Sequence, residues 1–218
     1  MKKVNLLAII AVILVAIIAA TVVFIAVKDN KDDTNILNFS TIDEVKNYAE
    51  DNKIEKYSFD NEYGCLREVE VLGSTADVEF YFSKGTTSQI VAKYIVFQHE
   101  YEYSEDESVE IPLYKFTEKD KKEISEDFKV IKTAFEEKIG CTLEQFDALP
   151  TQEGITLDNS DEQFYQGLFI KEYSVRDKSG VLWLLRFEAS NDFAVARLEK
   201  IIDDSSFDGF IPHIDLSK

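Results

Sequence analysis

Ala76-Asp77-Val78-Glu79-Phe80-Tyr81-Phe82-Ser83, residues 76–83, is the stretch on which the fold turns. Val78, Phe80 and Phe82 alternate with Asp77, Glu79 and Tyr81, the period of two that gives a strand one apolar and one polar face. Gly73-Ser74-Thr75 before it and Gly85 after it are turn signals, joining it to the strand-like runs Leu66–Leu72 and Gln89–Tyr103. The stretch therefore predicts the middle strand of an antiparallel three-stranded meander.

The same order recurs about 104 residues later, with strands predicted at Phe164–Val175, Val181–Ala189 and Phe193–Ile202 around the turn Asp177-Lys178-Ser179-Gly180. Leu66-Arg67-Glu68-Val69-Glu70-Val71 aligns with Ile170-Lys171-Glu172-Tyr173-Ser174-Val175. Val78, Phe80 and Phe82 match Trp183, Leu185 and Phe187 when one residue is added in the turn, and Val91-Ala92-Lys93-Tyr94 returns as Val195-Ala196-Arg197-Leu198. Each meander is preceded by helical spacing. Thr41 and Glu44 stand at capping-box distance ahead of Ile42, Val45, Tyr48 and Ala49; Thr117 opens a longer helix whose Ile124, Phe128, Ile131 and Phe135 form one stripe, closed by Gly140. Thr142 and Gln145 fit a further capping box for a short helix through Leu149, ended by Pro150.

These observations predict an α+β chain built of two tandem helix-plus-antiparallel-sheet units, residues 40–115 and 116–203. By element order alone this resembles cystatin-like and PepSY-like modules and, doubled, the β-lactamase-inhibitor type of architecture. The resemblance implies binding to other proteins, and no motif stands behind it.

Ahead of the first unit, Met1-Lys2-Lys3 precedes an uncharged apolar run from Val4 to Val27, followed by Lys28-Asp29-Asn30. As a helix, 24 residues extend about 36 Å, enough for a hydrocarbon core of roughly 30 Å. A cleaved secretory signal would have a shorter apolar core of about 7–15 residues. The expectation is a cytoplasmic stub at residues 1–3, a transmembrane helix at 4–27, a linker at 28–39 and an extracytoplasmic domain held at the membrane.

The chain carries 24 basic and 42 acidic residues, a net charge of −18. Such a surface is repelled by nucleic acid, which excludes that class of partner. Among catalytic signatures, His-Glu-x-x-His, Gly-x-Ser-x-Gly and a glycine-rich phosphate loop are all missing from the sequence. A thiol enzyme would need a base beside Cys65 or Cys141, and the sequence offers only His99 and His213. The Thr-Cys pair that marks a sortase nucleophile is also missing, because glycine precedes both cysteines. In an oxidising compartment Cys65 and Cys141 are either a disulfide closing a long loop or two separate buried thiols.

One local pattern suggests a ligand. From Asp204 to Asp215 the tail resembles an EF-hand or dockerin-type calcium loop over twelve residues. Asp204, Ser206 and Asp208 stand at positions 1, 3 and 5, Gly209 at the sharp turn, Phe210 at the carbonyl position and Asp215 at position 12. The resemblance implies Ca2+ as a ligand of residues 204–218; read plainly, the same residues are an Asp-Gly turn in an acidic tail. The sequence thus points to a non-catalytic protein-interaction or regulatory module, with a calcium- or small-ligand-responsive module as its alternative and a hydrolase with a carboxylate site as a third reading. Exposed aromatics among Phe80, Tyr81, Phe82, Tyr94, Tyr101 and Tyr103 would form its contact surface.

Overall fold

A computed structural model describes residues 36–100, 114–144, 169–190, 192–203, 205 and 210–218. The chain divides into residues 1–38 and 39–218. In the first, Ile36–Asn38 forms a single 3-10 turn. Among its described residues the second contains eight strands: β1 (Tyr57–Phe59), β2 (Tyr63–Val71), β3 (Ser74–Ser83), β4 (Thr86–Gln98), β5 (Phe169–Arg176), β6 (Leu182–Ala189), β7 (Phe193–Ile201) and β8 (Ile214–Asp215). Its two described helices are α1 (Ile42–Asp51) and α2 (Glu118–Ile139).

All eight strands belong to one sheet, ordered β1-β2-β3-β4-β7-β6-β5-β8. Every neighbouring pair is antiparallel except β5 and β8, which run parallel. Both hairpins of the first meander are two-residue turns, Leu72-Gly73 and Lys84-Gly85, with all four residues at positive φ. That is the geometry whose twist suits two paired strands. The turn after β2 therefore begins one residue earlier than Gly73-Ser74-Thr75 suggests, and Ser74 and Thr75 already belong to β3.

Register assigns each side chain a face. Val78, Phe80 and Phe82 of β3 lie beside Leu66, Val69 and Val71 of β2 and Ile90, Ala92 and Tyr94 of β4. Ala196 and Leu198 of β7 and Trp183, Leu185 and Phe187 of β6 continue the same surface, nearly all of it buried. Both helices lie against this surface: α1 packs on β2, and α2 on β4 and β7. Phe128 of α2 meets the Phe187 ring with centroids 4.9 Å apart, and Phe135 meets Trp183 at 6.1 Å. The stripe read from spacing is the buried stripe, since Ile124, Phe128, Ile131 and Phe135 are each no more than 3 % exposed. Thr117 caps α2 in a reciprocal box with Asp120, and Gly140 ends it at φ 68°.

Three expectations are corrected. First, the chain is not two tandem helix-plus-sheet units behind a transmembrane helix. The last strand of the first meander, β4, pairs with the last strand of the second, β7, from Gln89↔Ile201 to Gln98↔Phe193. A separate three-stranded meander would leave that strand edge unpaired, and joining the edges satisfies both backbones in one continuous sheet. Second, among the described residues no helix is long and apolar enough to cross a membrane. The longest, α2, is amphipathic, with lysines and glutamates along its outer side. The run from Val4 to Val27 lies outside the described residues, and the single-pass membrane localisation that rested on it is withdrawn. Third, Phe80, Phe82 and Tyr94 are core residues rather than contact surface. Tyr101 and Tyr103 lie outside the described residues, as do Gln145–Leu149 of the expected short helix and Phe164–Leu168 of the fourth expected strand.

Candidate functional site: the open face of the sheet

The side chains that alternate with the core residues point to the opposite face, and among the described residues no helix covers it. A row of directly paired positions crosses the centre of this face: Asp77 in β3, Lys93 in β4, Arg197 in β7, Arg186 in β6 and Glu172 in β5. Three cations therefore stand side by side on adjacent strands. Like charges directly opposite one another destabilise a sheet, so folding gains nothing from this arrangement. Lys93 and Arg197 also hold equivalent places in the two meanders, 104 residues apart in sequence, and they face each other across the β4–β7 junction.

The flanking rows differ in character. On one side lie Ile95, Val195, Glu188 and Ile170, with Ile95 52 % and Ile170 44 % exposed. On the other lie Glu79, Val91, Glu199 and Leu184. The central part of the face is concave, a groove of about 430 Å³ whose lining includes Lys93, Arg186, Arg197, Val91, Val195 and Ile95. That volume is in the range of ligand-binding clefts.

Carboxylates on this face hold the guanidinium groups along the strand direction. Arg197 Nε lies 2.8 Å from Glu199 Oε1, and Arg186 Nη2 lies 3.3 Å from Glu188 Oε2. Gln89 Nε2 donates to the other oxygen of Glu199 at 2.7 Å, and Tyr81 Oη donates to Glu79 at 2.9 Å. Burial, followed by the Glu79 hydrogen bond, raises the Tyr81 phenol. Asp77 turns away from Lys93 toward β2. It accepts from Arg67 Nη1 at 2.8 Å and from the backbone N–H of Glu68 at 3.0 Å, bracing the bulge where Glu68 adopts φ 58°. Lys93 thus makes no ion pair among the described residues, and Arg186 Nε is a buried donor with no hydrogen-bond partner there.

The sites expected from sequence lie elsewhere. Cys65 is in β2 and Cys141 follows the end of α2, and both are free thiols. Burial raises the Cys65 thiol despite its hydrogen bond with Tyr63, and burial followed by the Glu136 charge raises Cys141, so neither is activated. His99 follows β4 and stacks on Tyr114 with centroids 4.0 Å apart. His213 is a clip for the C-terminal strand: its Nδ1 accepts from the Ser174 backbone N–H at 3.2 Å, and its own N–H donates to Ser174 Oγ at 2.9 Å.

For the calcium loop, Asp204, Ser206, Asp208 and Gly209 lie outside the described residues. Phe210 is described and 39 % exposed. Asp215 belongs to β8, where its carboxylate takes hydrogen bonds from Ser217 N–H and Oγ and pairs with Lys218 at 3.0 Å. The Ser217 hydroxyl first, then Lys218, pull its pKa down to about 2. Among the described residues no three His, Cys, Asp or Glu side chains converge as metal ligands.

Sequence reasoning missed Lys93, Arg186 and Arg197 as a group, because each reads alone as an ordinary outward residue of a strand. One signal was present: the 104-residue alignment superposes Lys93 on Arg197. Comparison of the chain with protein-family models, with curated proteins and with solved structures finds no match.

Proposed function

We propose that this protein is a non-catalytic protein-binding module whose docking surface is the open face of the β4–β7–β6 sheet. The observation that carries the reading is the centre of an otherwise well-packed sheet that no described residue covers with a helix, where exposed Ile95 borders a groove containing charged side chains. Exposed aliphatic side chains beside charged ones form a mixed surface of the kind that a protein partner covers. The raised thiols of Cys65 and Cys141 and the structural use of His213 favour binding over thiol chemistry.

Affinity capture with the full chain and with Ile95→Glu, from an extract of the producing cells, tests this reading. A protein retained by the wild type and lost with Ile95→Glu is expected, because a charge placed on the aliphatic border of the groove is desolvated on docking. Recovery of the same proteins by both baits, or of none at low salt, would overturn it.

A further inference from the structure

We infer that the β1 edge of the sheet pairs with the β1 edge of a second copy of this chain, making a two-fold symmetric dimer centred on Ser58. The inference is independent of the docking face proposed above, which lies on strands at the centre of the sheet.

The first argument is an unused row of backbone groups. β1 is the outermost strand on its side of the sheet. Arg67 N–H donates to the Lys56 carbonyl at 3.1 Å and Asp60 N–H donates to the Tyr63 carbonyl at 2.8 Å, so residues 56, 58 and 60 turn their backbones toward β2. Tyr57 and Phe59 alternate with them and turn N–H and C=O outward, where none of these four groups meets a partner among the described residues. Sheet edges are ordinarily blunted by proline, by charge or by a covering segment. Tyr57-Ser58-Phe59 carries neither proline nor charge, whereas at the far edge β8 covers Val175 and Arg176 of β5. Though short, β1 is held in place. A Cβ at Gly64 would lie 2.6 Å from the Phe59 ring, so the ring rests directly on that glycine, and Asp60 Oδ1 accepts from the N–H groups of Glu62 and Tyr63, both at 2.8 Å.

Symmetry makes a second copy the occupant. Antiparallel pairing about a two-fold axis at Ser58 sets Tyr57 of each chain opposite Phe59 of the other, the self-complementary form of an isologous contact. Those are the two outward-facing residues, so each pair exchanges two hydrogen bonds and the dimer gains all four. Tyr57 stands opposite Leu66 and therefore on the helix-covered face; it is 50 % exposed, with its ring 5.4 Å from that of Phe59. In the dimer these two rings meet the same two of the second copy, as cross-strand aromatic pairs that stabilise antiparallel sheets. On the other face Ser58 meets Ser58, small and uncharged. Just outside, Lys56 comes opposite Asp60. Lys56 already pairs with Glu68 and Asp60 already holds its turn, so this contact drives nothing; it means that no like charges face each other where two chains of net charge −18 join.

Sedimentation of the full-length protein over a concentration series reaching about 0.5 mM reads the dimer, which so short an edge should hold only in the upper micromolar range. Ser58→Lys and Ser58→Glu, at an exposed position, each set like charges on the axis and should weaken association about tenfold or more. An equimolar mixture of these two variants sets opposite charges there and should restore dimers, a result that requires the two serines to face each other. Tyr57→Pro deletes an outward N–H that no bond within the chain uses, a position where an edge strand tolerates proline, and should weaken the dimer comparably. Thermal melts establish that the variants are folded. A wild type that stays monomeric across the series, a dimer that Ser58→Lys and Tyr57→Pro leave intact, or a mixture that associates no better than its components would overturn the inference.

Discussion

The indole Nε1–H of Trp183 in β6 donates to Asp177 Oδ2 at 2.8 Å, tying the second meander's central strand to the turn that introduces it. The other carboxylate oxygen of Asp177 accepts from Ser179 N–H at 2.8 Å, Ser179 Oγ at 2.6 Å and Val181 N–H at 3.0 Å. Burial is the largest single influence on Asp177 and opposes ionisation. The hydrogen bonds from Ser179, Trp183 and Val181 together outweigh it and hold the carboxyl below its ordinary range.

Asp177→Ala is therefore expected to destabilise the fold by about 2–3 kcal/mol, the range for losing charge-assisted hydrogen bonds and leaving donors unmatched. Because the native-state pKa is depressed, the contribution of Asp177 is fully present above its unfolded value near 4 and is lost as pH falls through the native value. Asp177→Asn should flatten the acid limb of stability below about pH 4. Urea unfolding followed by the fluorescence of Trp183, the single tryptophan, measures both effects. An acid limb unchanged in Asp177→Asn would show that this carboxylate is not linked to folding.

Lys84 occupies the first position of the β3–β4 turn at φ 53° with its side chain exposed. The left-handed region is strained for a lysine, whereas Asn-Gly is the favoured pair for this turn type. Lys84→Asn should raise stability by about 0.5–1 kcal/mol without changing what the sheet face binds. A midpoint in urea that stays put or falls would contradict the turn geometry.

Lys132 ties the end of α2 to the segment after it. Its Nζ lies 2.7 Å from Glu136 Oε1 and donates to the Leu143 carbonyl at 3.2 Å, while the same Glu136 oxygen accepts from Leu143 N–H at 2.6 Å. The Lys132 side chain is 8 % exposed and that of Glu136 17 %, so Lys132→Met leaves a largely buried carboxylate without its cation. The expected loss is about 3 kcal/mol, with a smaller loss when both residues are replaced by apolar ones. A double-mutant cycle on thermal or urea unfolding checks the coupling, and additive losses would rule it out.

The helices were legible because their caps and apolar stripes are local, and the six longer strands because a period of two needs only a few residues to show. The two-strand margins were not: β1 has three residues and β8 two, too few to express a period. The β4–β7 pairing left no local trace, since a strand edge that meets another edge looks in sequence like one that meets water. Once that pairing is given, Lys93 and Arg197 become neighbours and the cationic row follows from register alone. The bulge at Glu68 also explains the limits of the internal alignment. It inserts an irregularity in β2 between Leu66 and Val69. Leu66 therefore points into the core, while Ile170, its counterpart 104 residues later, is 44 % exposed.

Cys65 is 4 % exposed within β2, and burial raises its thiol above the ordinary range; Cys141, beyond the glycine that ends α2, is only half-buried. Both thiols are raised, so what separates them is access of the reagent to the sulfur, which burial denies to Cys65. In the reduced native protein a disulfide-exchange reagent should label Cys141 first and reach Cys65 only through opening of the sheet, at least about tenfold more slowly. Cys141→Ala should remove the faster phase and leave the slower one, and denaturant should merge the two. A fast phase that survives in Cys141→Ala would place an accessible thiol in β2 and contradict the packing of that strand.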